Sequence, residues 1–265
     1  MIRAVRAVGL LAVMAVAVVA ISTGASASTG AAAATEPGVT VYAGPNLQGP
    51  PPGVSKNADA LFFYPKVVTV HVGDTVTWQF RGFHTVTFAG PLHTYPFIVP
   101  TGAKQPVAKD AAGEPFWWVG KVPVLGLSPM SLLPQGGGTI SSASQVRSSG
   151  LMRVLTSTPK KPPAPYTLTF TKAGMYRYEC AVHPAMRGVV RVLPPSATVP
   201  SPEAQENQGK VELAHTIVDV RRLGHGKPAT KLRILVGQGN AATGGEIAAF
   251  FPTKLVVSVG DTGSS

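Results

Sequence analysis

Three side chains with metal-binding atoms lie close together near the end of a predicted strand. Cys180, His183 and Met186 follow the spacing C-x-x-H-x-x-M. A thiolate, an imidazole and a thioether form a soft set of sulfur and nitrogen donors, and short spacing keeps all three on one loop. With a second imidazole, this set matches the trigonal His₂Cys site with a long axial Met that is typical of blue copper. The spacing therefore predicts a copper site.

The second imidazole must come from elsewhere in the chain, and His84 is the best candidate. It begins a short predicted strand after Arg81-Gly82-Phe83. His71 lies within an alternating strand, where we expect its side chain to point to solvent. His93 lies in an irregular region and remains the alternative ligand.

The elements that position these residues read as strands. Short segments rich in β-branched and aromatic residues are separated by turns such as Gly73-Asp74 and Lys172-Ala173-Gly174, which favours an antiparallel sandwich. The predicted strands are Val67–Val72, Thr75–Phe80, His84–Phe88, Tyr166–Phe170, Tyr176–Cys180 and Gly188–Val192. The ligand loop would then connect the last two of them.

The segments Val72–Trp78, Leu168–Cys180 and His183–Gly188, together with His84, resemble the cupredoxins, the blue type 1 copper proteins. The resemblance is closest to the amicyanin, plastocyanin and pseudoazurin group, and it covers residues 67–193 apart from an insertion. It implies an all-β, Greek-key β-sandwich and one type 1 copper. It also implies a soluble electron carrier rather than an enzyme. The ligands that it implies are His84, Cys180, His183 and Met186.

The chain departs from this family at the ligands' neighbours. Thr85 follows the first His where the family often has Asn, and Ala181 follows Cys180 where it often has Ser or Thr. We therefore expect the side-chain hydrogen bond that ties the two ligand segments to be lost. The backbone N–H of Thr85 remains able to donate to the Cys180 sulfur, and such bonds tune a metal site. A further departure is that 95 residues separate His84 from Cys180.

Residues 1–27 have the anatomy of a secretory signal peptide. Arg3 and Arg6 precede an apolar stretch of about 15 residues, and Ala25-Ser26-Ala27 offers an A-x-A cleavage site. The stretch is shorter than the ~20 residues that a membrane anchor needs. We therefore predict a protein that is secreted, periplasmic or otherwise extracytoplasmic, with no stable membrane insertion after cleavage.

Composition divides the remainder into four parts, the second of which contains an insertion. Residues 28–37 form a flexible, Ala-rich start, and residues 38–193 form the cupredoxin domain. Residues 89–163 are an insertion rich in Pro, Gly and Ser. Residues 194–209 have the composition of a linker. Residues 210–265 are expected to be part of a second sandwich domain.

An internal repeat is the reason for predicting that second domain. Phe250–Thr262 aligns with Phe63–Thr75 at a constant offset of 187, with 7 of 13 positions identical. Repeated sequence indicates repeated architecture. The repeat also favours an alternative function, in which the chain is a truncated part of a multidomain copper oxidase or a nitrite-reductase-like enzyme.

Composition also limits the function classes. The single Cys excludes an intrachain disulfide framework. The net charge is +11, and cleavage after Ala27 would leave 21 basic and 12 acidic residues, a charge of +9. The basic residues are scattered, so we predict no nucleic-acid binding. The charge instead favours an acidic redox partner. Copper storage is disfavoured because Met and His do not occur in runs, and a metal-free adhesion sandwich remains the alternative from another class.

Overall fold

The structure is a computed structural model, which describes residues 38–45, 47, 51–90, 96–100, 125–158, 160–183, 185–226 and 232–262. The strands are β1 (Val39–Ala43), β2 (Ala58–Ala60), β3 (Phe63–Tyr64), β4 (Val67–His71), β5 (Thr75–Phe80), β6 (Thr87–Phe88), β7 (Ile98–Pro100), β8 (Leu125–Leu127), β9 (Thr139–Ile140), β10 (Arg147–Ser148), β11 (Tyr166–Phe170), β12 (Gly174–Glu179), β13 (Arg187–Leu193), β14 (Leu235–Asn240) and β15 (Gly245–Phe251). The helices are α1 (Pro129–Leu132), α2 (Met152–Leu155) and α3 (Pro202–Leu223).

Two five-stranded sheets form the sandwich, so the predicted all-β class is confirmed. The first sheet has the order β3-β1-β5-β11-β9, and the second has the order β10-β6-β12-β13-β4. The sheets are mixed rather than purely antiparallel, because β1 pairs parallel with β5 and β4 pairs parallel with β13. Between β1 and β5 the chain crosses to the second sheet as β4, so β5 returns in the direction of β1.

Alternation of side chains along each strand builds one core between the sheets. On β5, Val76, Trp78 and Phe80 are buried while the intervening residues are half-exposed. Val190 and Tyr178 face them from the second sheet, and the Trp78 and Tyr178 rings meet edge to face at 5.3 Å. This alternation, with a period of two, places the apolar half of each strand inward.

The predicted strand at His84–Phe88 is shorter than expected, because only Thr87 and Phe88 form β6. The backbone N–H of Thr85 donates to the Cys180 sulfur, and that of Val86 donates to Ser149 Oγ. These two amides therefore bond to side chains instead of entering a strand ladder. His84 consequently lies in a loop just before the strand.

Part of the insertion at residues 89–163 belongs to the sandwich, while its strands β7 and β8 pair with each other in a separate two-stranded sheet. Its β9 pairs with β11 in the first sheet, and its β10 pairs with β6 in the second. Ile140 and Leu151 are fully buried. The insertion therefore extends both sheets next to the segment that contains His84.

Helix α3 occupies residues 202–223, where composition predicted a linker as far as residue 209 and then a strand-rich domain. Ser201 caps the helix by accepting a hydrogen bond from the N–H of Ala204 (3.2 Å), and Pro202 occupies its first turn. A proline is favourable there because the first-turn N–H has no helical partner. Pro202, within the predicted linker, therefore begins a helix.

Polar contacts fix helix α3 to the sandwich. Gln205 is buried and bonds both ways to the backbone of Thr69 on the edge strand β4, at 2.7 and 3.0 Å. Glu212 accepts from the N–H of Lys66, and the Tyr64 hydroxyl bonds to Thr216. The bonds to Gln205 satisfy edge groups of β4 that would otherwise be free to pair.

The C-terminal hairpin β14–β15 continues a three-stranded sheet of order β14-β15-β2. After it, the structure repeats local features of the first copy at the same offset that the sequence shows. Asp74 accepts from the N–H of His71, and Asp261 accepts from the N–H of Ser258, both at 2.7 Å. Residues 252–262 of the second copy form no strand, and most of them are exposed, with Val256 at 80%. A complete second sandwich remains a prediction.

Two sequence expectations concern the membrane and the N-terminus. Among the described residues, none of the helices is both long and apolar enough to span a bilayer. The predicted signal peptide at residues 1–27 and the flexible start at residues 28–37 lie outside the described residues.

Candidate metal centre

Three of the four predicted ligands meet at one end of the sandwich. Nitrogen or sulfur atoms of His84, Cys180 and His183 all lie within 4.8 Å of one another. The two Nδ1 atoms are 3.1 Å apart, and Cys180 Sγ lies 3.5 Å from His183 Nδ1 and 4.0 Å from His84 Nδ1. The fold thus brings together His84 and Cys180, which are 96 positions apart in the sequence.

The fourth predicted ligand, Met186, has a fully buried side chain in the same core cluster as Cys180. Backbone bonds close the ligand loop around it: Cys180 N–H donates to Met186 O, and Met186 N–H donates to His183 O, both at 2.9 Å. The loop is therefore held at three of the candidate ligands by its own backbone.

The spacing of the donors suits one shared ion. Bonds of about 2.0 Å to nitrogen and about 2.3 Å to sulfur would hold the three atoms of a trigonal site about 3.5 to 3.8 Å apart. The observed separations of 3.1, 3.5 and 4.0 Å bracket that range. The residues present therefore fit a transition-metal ion of the softer kind.

Burial sets the protonation of the candidate ligands. Desolvation, followed by repulsion from His183, lowers the pKa of His84 to about 3, so its ring is neutral at pH 7. Desolvation also lowers the pKa of His183, against the opposing field of the Asp59 carboxylate. It raises the pKa of the Cys180 thiol, so a thiolate there needs a nearby cation. Two neutral imidazoles and a thiol that loses its proton on binding are what a metal requires.

A cradle of two glycines holds the ring of His84. A Cβ atom added to Gly44 or Gly82 would come within 2.7 or 2.8 Å of His84 Nε2. That nitrogen is buried and has no hydrogen-bond partner among the described residues. Backbone packing, instead of a hydrogen bond, therefore orients the ring so that Nδ1 faces Cys180.

Thr85 links the two ligand segments, contrary to the expected loss of a side-chain bond. Its Oγ1 accepts a 2.8 Å hydrogen bond from the N–H of Ala181. The expected donation from Thr85 N–H to Cys180 Sγ is confirmed at 3.3 Å. The hydroxyl of Thr85 therefore makes the link between the two ligand segments that was expected to need an Asn side chain.

A row of buried hydroxyls extends this connection into the insertion. Thr85 Oγ1 lies 3.2 Å from Thr87 Oγ1, which lies 3.1 Å from Ser148 Oγ. All three residues are fully buried. Sequence reasoning did not single out Thr87 or Ser148, and no signal short of the fold identifies them, because their partners are distant in the chain.

The other histidines considered from the sequence are not part of this cluster where they are described. His71 Nε2 bonds to the carbonyl oxygen of Ala197 at 2.8 Å, so the side chain has a structural contact instead of pointing freely to solvent. His93 lies outside the described residues.

Comparison with known proteins gave distant structural likenesses. No protein-family model matches the chain, and no curated protein sequence matches it. Among solved structures, it is similar to a reduced Cu(I) amicyanin mutant at pH 4, with 22% identity over 60% of this chain and 84% of that chain, at a TM-score of 0.26. A second reduced amicyanin mutant has 22% identity over 59% and 82%, at a TM-score of 0.25.

Proposed function

We propose that this chain is an exported blue copper protein that carries single electrons between redox partners. The observation that carries the proposal is the convergence of His84 Nδ1, His183 Nδ1 and Cys180 Sγ within 4.8 Å. An N/N/S set of this kind, with a buried Met on the same loop, is the donor set of a type 1 copper site. Met186 is the proposed axial ligand.

Copper bound there would supply a one-electron couple between Cu(I) and Cu(II). The chain's own residues keep the donors nearly fixed. Gly44 and Gly82 enclose the His84 ring, and the Thr85 N–H holds the Cys180 sulfur. Donors that move little on a change of charge need little reorganisation, which favours rapid electron transfer.

His183 provides the proposed route to a partner. It is half-buried, whereas His84, Cys180 and Met186 are fully buried. The edge of its imidazole is therefore the part of the site nearest to solvent. Redox encounters use small and transient interfaces, so one half-exposed ligand is sufficient.

The second candidate function is a domain of a larger copper enzyme, such as a multidomain oxidase or a nitrite-reductase-like enzyme. The repeated sequence at Phe250–Thr262, with the matching hydrogen bond between Ser258 and Asp261, favours it. The described residues contain a single cluster of metal-binding side chains, so catalysis of that kind would need further ligands. Oxidase and nitrite reductase assays on the copper-loaded chain test this candidate.

The experiment that tests the carrier proposal is titration of the purified chain with Cu(II), followed by visible absorption and metal analysis. We expect intense absorption that saturates at one copper per chain, because the Cys180 thiolate would bond to the metal. Cys180→Ser should bind copper weakly and show no such band. Equal absorption in the Ser variant would rule out the site.

A further inference from the structure

The segments that directly precede the two copies of the repeat pair with each other through one strand each. Strands β2 and β15 are antiparallel, with Asp59 opposite Glu246, Ala60 opposite Gly245 and Ala58 opposite Ile247. The constant offset between the two copies makes Asp59 and Glu246 equivalent positions. The pairing is therefore symmetric about the middle of the two strands, as in an isologous interface.

This pairing places the turn of the β14–β15 hairpin beside the candidate metal centre. A cleft of about 390 Å³ lies between the hairpin and the ligand loop. Val182, His183 and Met186 line one side, and Asn240 and Glu246 line the other. The hydrogen bond from Leu61 N–H to Gly244 O (2.7 Å) fixes the hairpin turn against the sandwich. The cleft is thus a built feature of the fold, and it opens at the half-exposed ligand.

Negative charge marks this cleft. Apart from the imidazole of His183, Glu246 has the one acidic or basic side chain among the described residues that line it. Neither Glu246 nor the opposing Asp59 forms an ion pair with a described residue. Like charges opposite each other on neighbouring strands destabilise a sheet unless a cation lies between or near them. Burial and Asp59 raise the pKa of Glu246, which is consistent with a carboxylate that lacks a cationic neighbour.

The charge of the cleft lining therefore differs in sign from the charge of the whole chain, which is +11. Long-range attraction follows the total charge, but a docked partner meets the groups that lie within a Debye length of about 10 Å. The partner's contact surface is set by Glu246 and the apolar residues beside His183, and the ammonium of Lys66, which donates to Ala242 O (3.2 Å), lies at the hairpin turn outside the lining.

We propose that the redox partner docks in this cleft and presents a cationic side chain, a lysine or an arginine, to Glu246. The inference rests on the proposed electron-carrier function, since it names the partner chemistry for the same site. The apolar wall of Val182 and Ala185 would exclude water from the contact. Glu246 would supply the charge that selects the partner.

Oxidation of the reduced, copper-loaded chain by small complexes of opposite charge tests the proposal. Each oxidant, tris(phenanthroline)cobalt(III) or hexacyanoferrate(III), takes one electron from the site and is itself reduced by one electron. At low salt we expect Glu246→Gln to slow the cationic oxidant about threefold to tenfold and to speed the anionic one by a similar factor. The matched control is Glu206→Gln, which removes the same charge from helix α3. Equal effects of both variants on the two oxidants would overturn the proposal.

A binding readout on the copper-free chain separates this inference from the proposed function. Tetralysine peptide, titrated into the chain and followed by NMR, should shift the amide signals of Glu246, Asn240 and Val182. The shifts should be lost in Glu246→Gln and kept in Glu206→Gln. Shifts elsewhere on the surface would overturn the docking site, whatever the outcome of the copper titration. A chain that fails to develop the copper absorption but shows these shifts would disprove the carrier function alone.

Discussion

The Thr85 hydroxyl accepts a 2.8 Å hydrogen bond from the backbone N–H of Ala181. This bond joins the segment that contains His84 to the loop that contains His183. The N–H of the same Thr85 donates to the Cys180 sulfur. One residue therefore aligns the two halves of the candidate metal centre by two separate bonds.

Removing the hydroxyl should loosen the centre without destroying it. Thr85→Val keeps the size of the side chain and the N–H to Cys180, but leaves the buried N–H of Ala181 without its partner. An unsatisfied buried donor costs about 1–3 kcal/mol. The free energy of unfolding, measured by urea titration, should therefore fall by that amount. Thr85→Ser keeps the hydroxyl and is the control. A stability equal to that of the Ser variant would contradict the role of the hydroxyl.

Gly44 should matter for the metal, and Gly73 should not. Both have positive φ, +91° and +97°, but a Cβ on Gly44 would meet His84 Nε2 at 2.7 Å, whereas one on Gly73 would meet nothing within 4 Å. Alanine at either position should cost about 1–2 kcal/mol of stability from backbone strain, and Gly44→Ala should cost more because its Cβ would also meet the backbone oxygen of Arg81 at 2.7 Å. Only Gly44→Ala should also weaken copper binding, by about 10- to 100-fold in competition with a chelator. Equal copper affinity in the two variants would show that the cradle does not orient His84.

The remote imidazole can be assigned by separate replacement of His84 and His93. His84→Gly should abolish the intense visible absorption, because it removes one of the three clustered donors. His93→Gly should leave the absorption unchanged. The reverse result would assign the second imidazole to His93 and would require a different arrangement around Cys180.

Met186 should affect the potential more than the fold. Met186→Leu conserves volume in a fully buried position, so it should cost less than about 1.5 kcal/mol. If the thioether is the axial ligand, the absorption should persist while the midpoint potential moves by about 60 mV or more, a tenfold change in preference between the oxidation states. Voltammetry of the two proteins measures this change. An unmoved potential would remove Met186 from the ligand set.

Stability should fall at high pH because of buried tyrosines. Desolvation raises the pKa of Tyr166 to about 12, and it raises the pKa values of Tyr64 and Tyr178 as well. The unfolded chain releases these protons near pH 10, while the folded chain keeps them. The stabilisation is therefore complete below pH 10 and is lost progressively as the pH rises above it.

Urea unfolding at pH 8, 10 and 11 measures this dependence. Tyr166→Phe removes one of the titrating groups, and its hydroxyl has no hydrogen-bond partner among the described residues. The variant should lose less stability than the parent between pH 10 and pH 11. A pH dependence identical to the parent's would show that Tyr166 does not contribute.

The sequence by itself determined the local features of this protein. Cys180, His183 and Met186 lie on one loop. The buried and less buried side chains of β5 or β11 alternate along one strand. Such features depend on neighbours in the chain, so composition and period reveal them. The internal repeat was visible for a similar reason, because a constant offset can be read by aligning the chain with itself.

Only the tertiary structure decided which distant groups meet. It placed His84 against Cys180 and gave the Thr85 hydroxyl a partner on the ligand loop. It also set Glu246 of the hairpin beside His183. Each of these contacts joins residues far apart in the chain. Their formation depends on how the sheets close around the core, which no local pattern encodes.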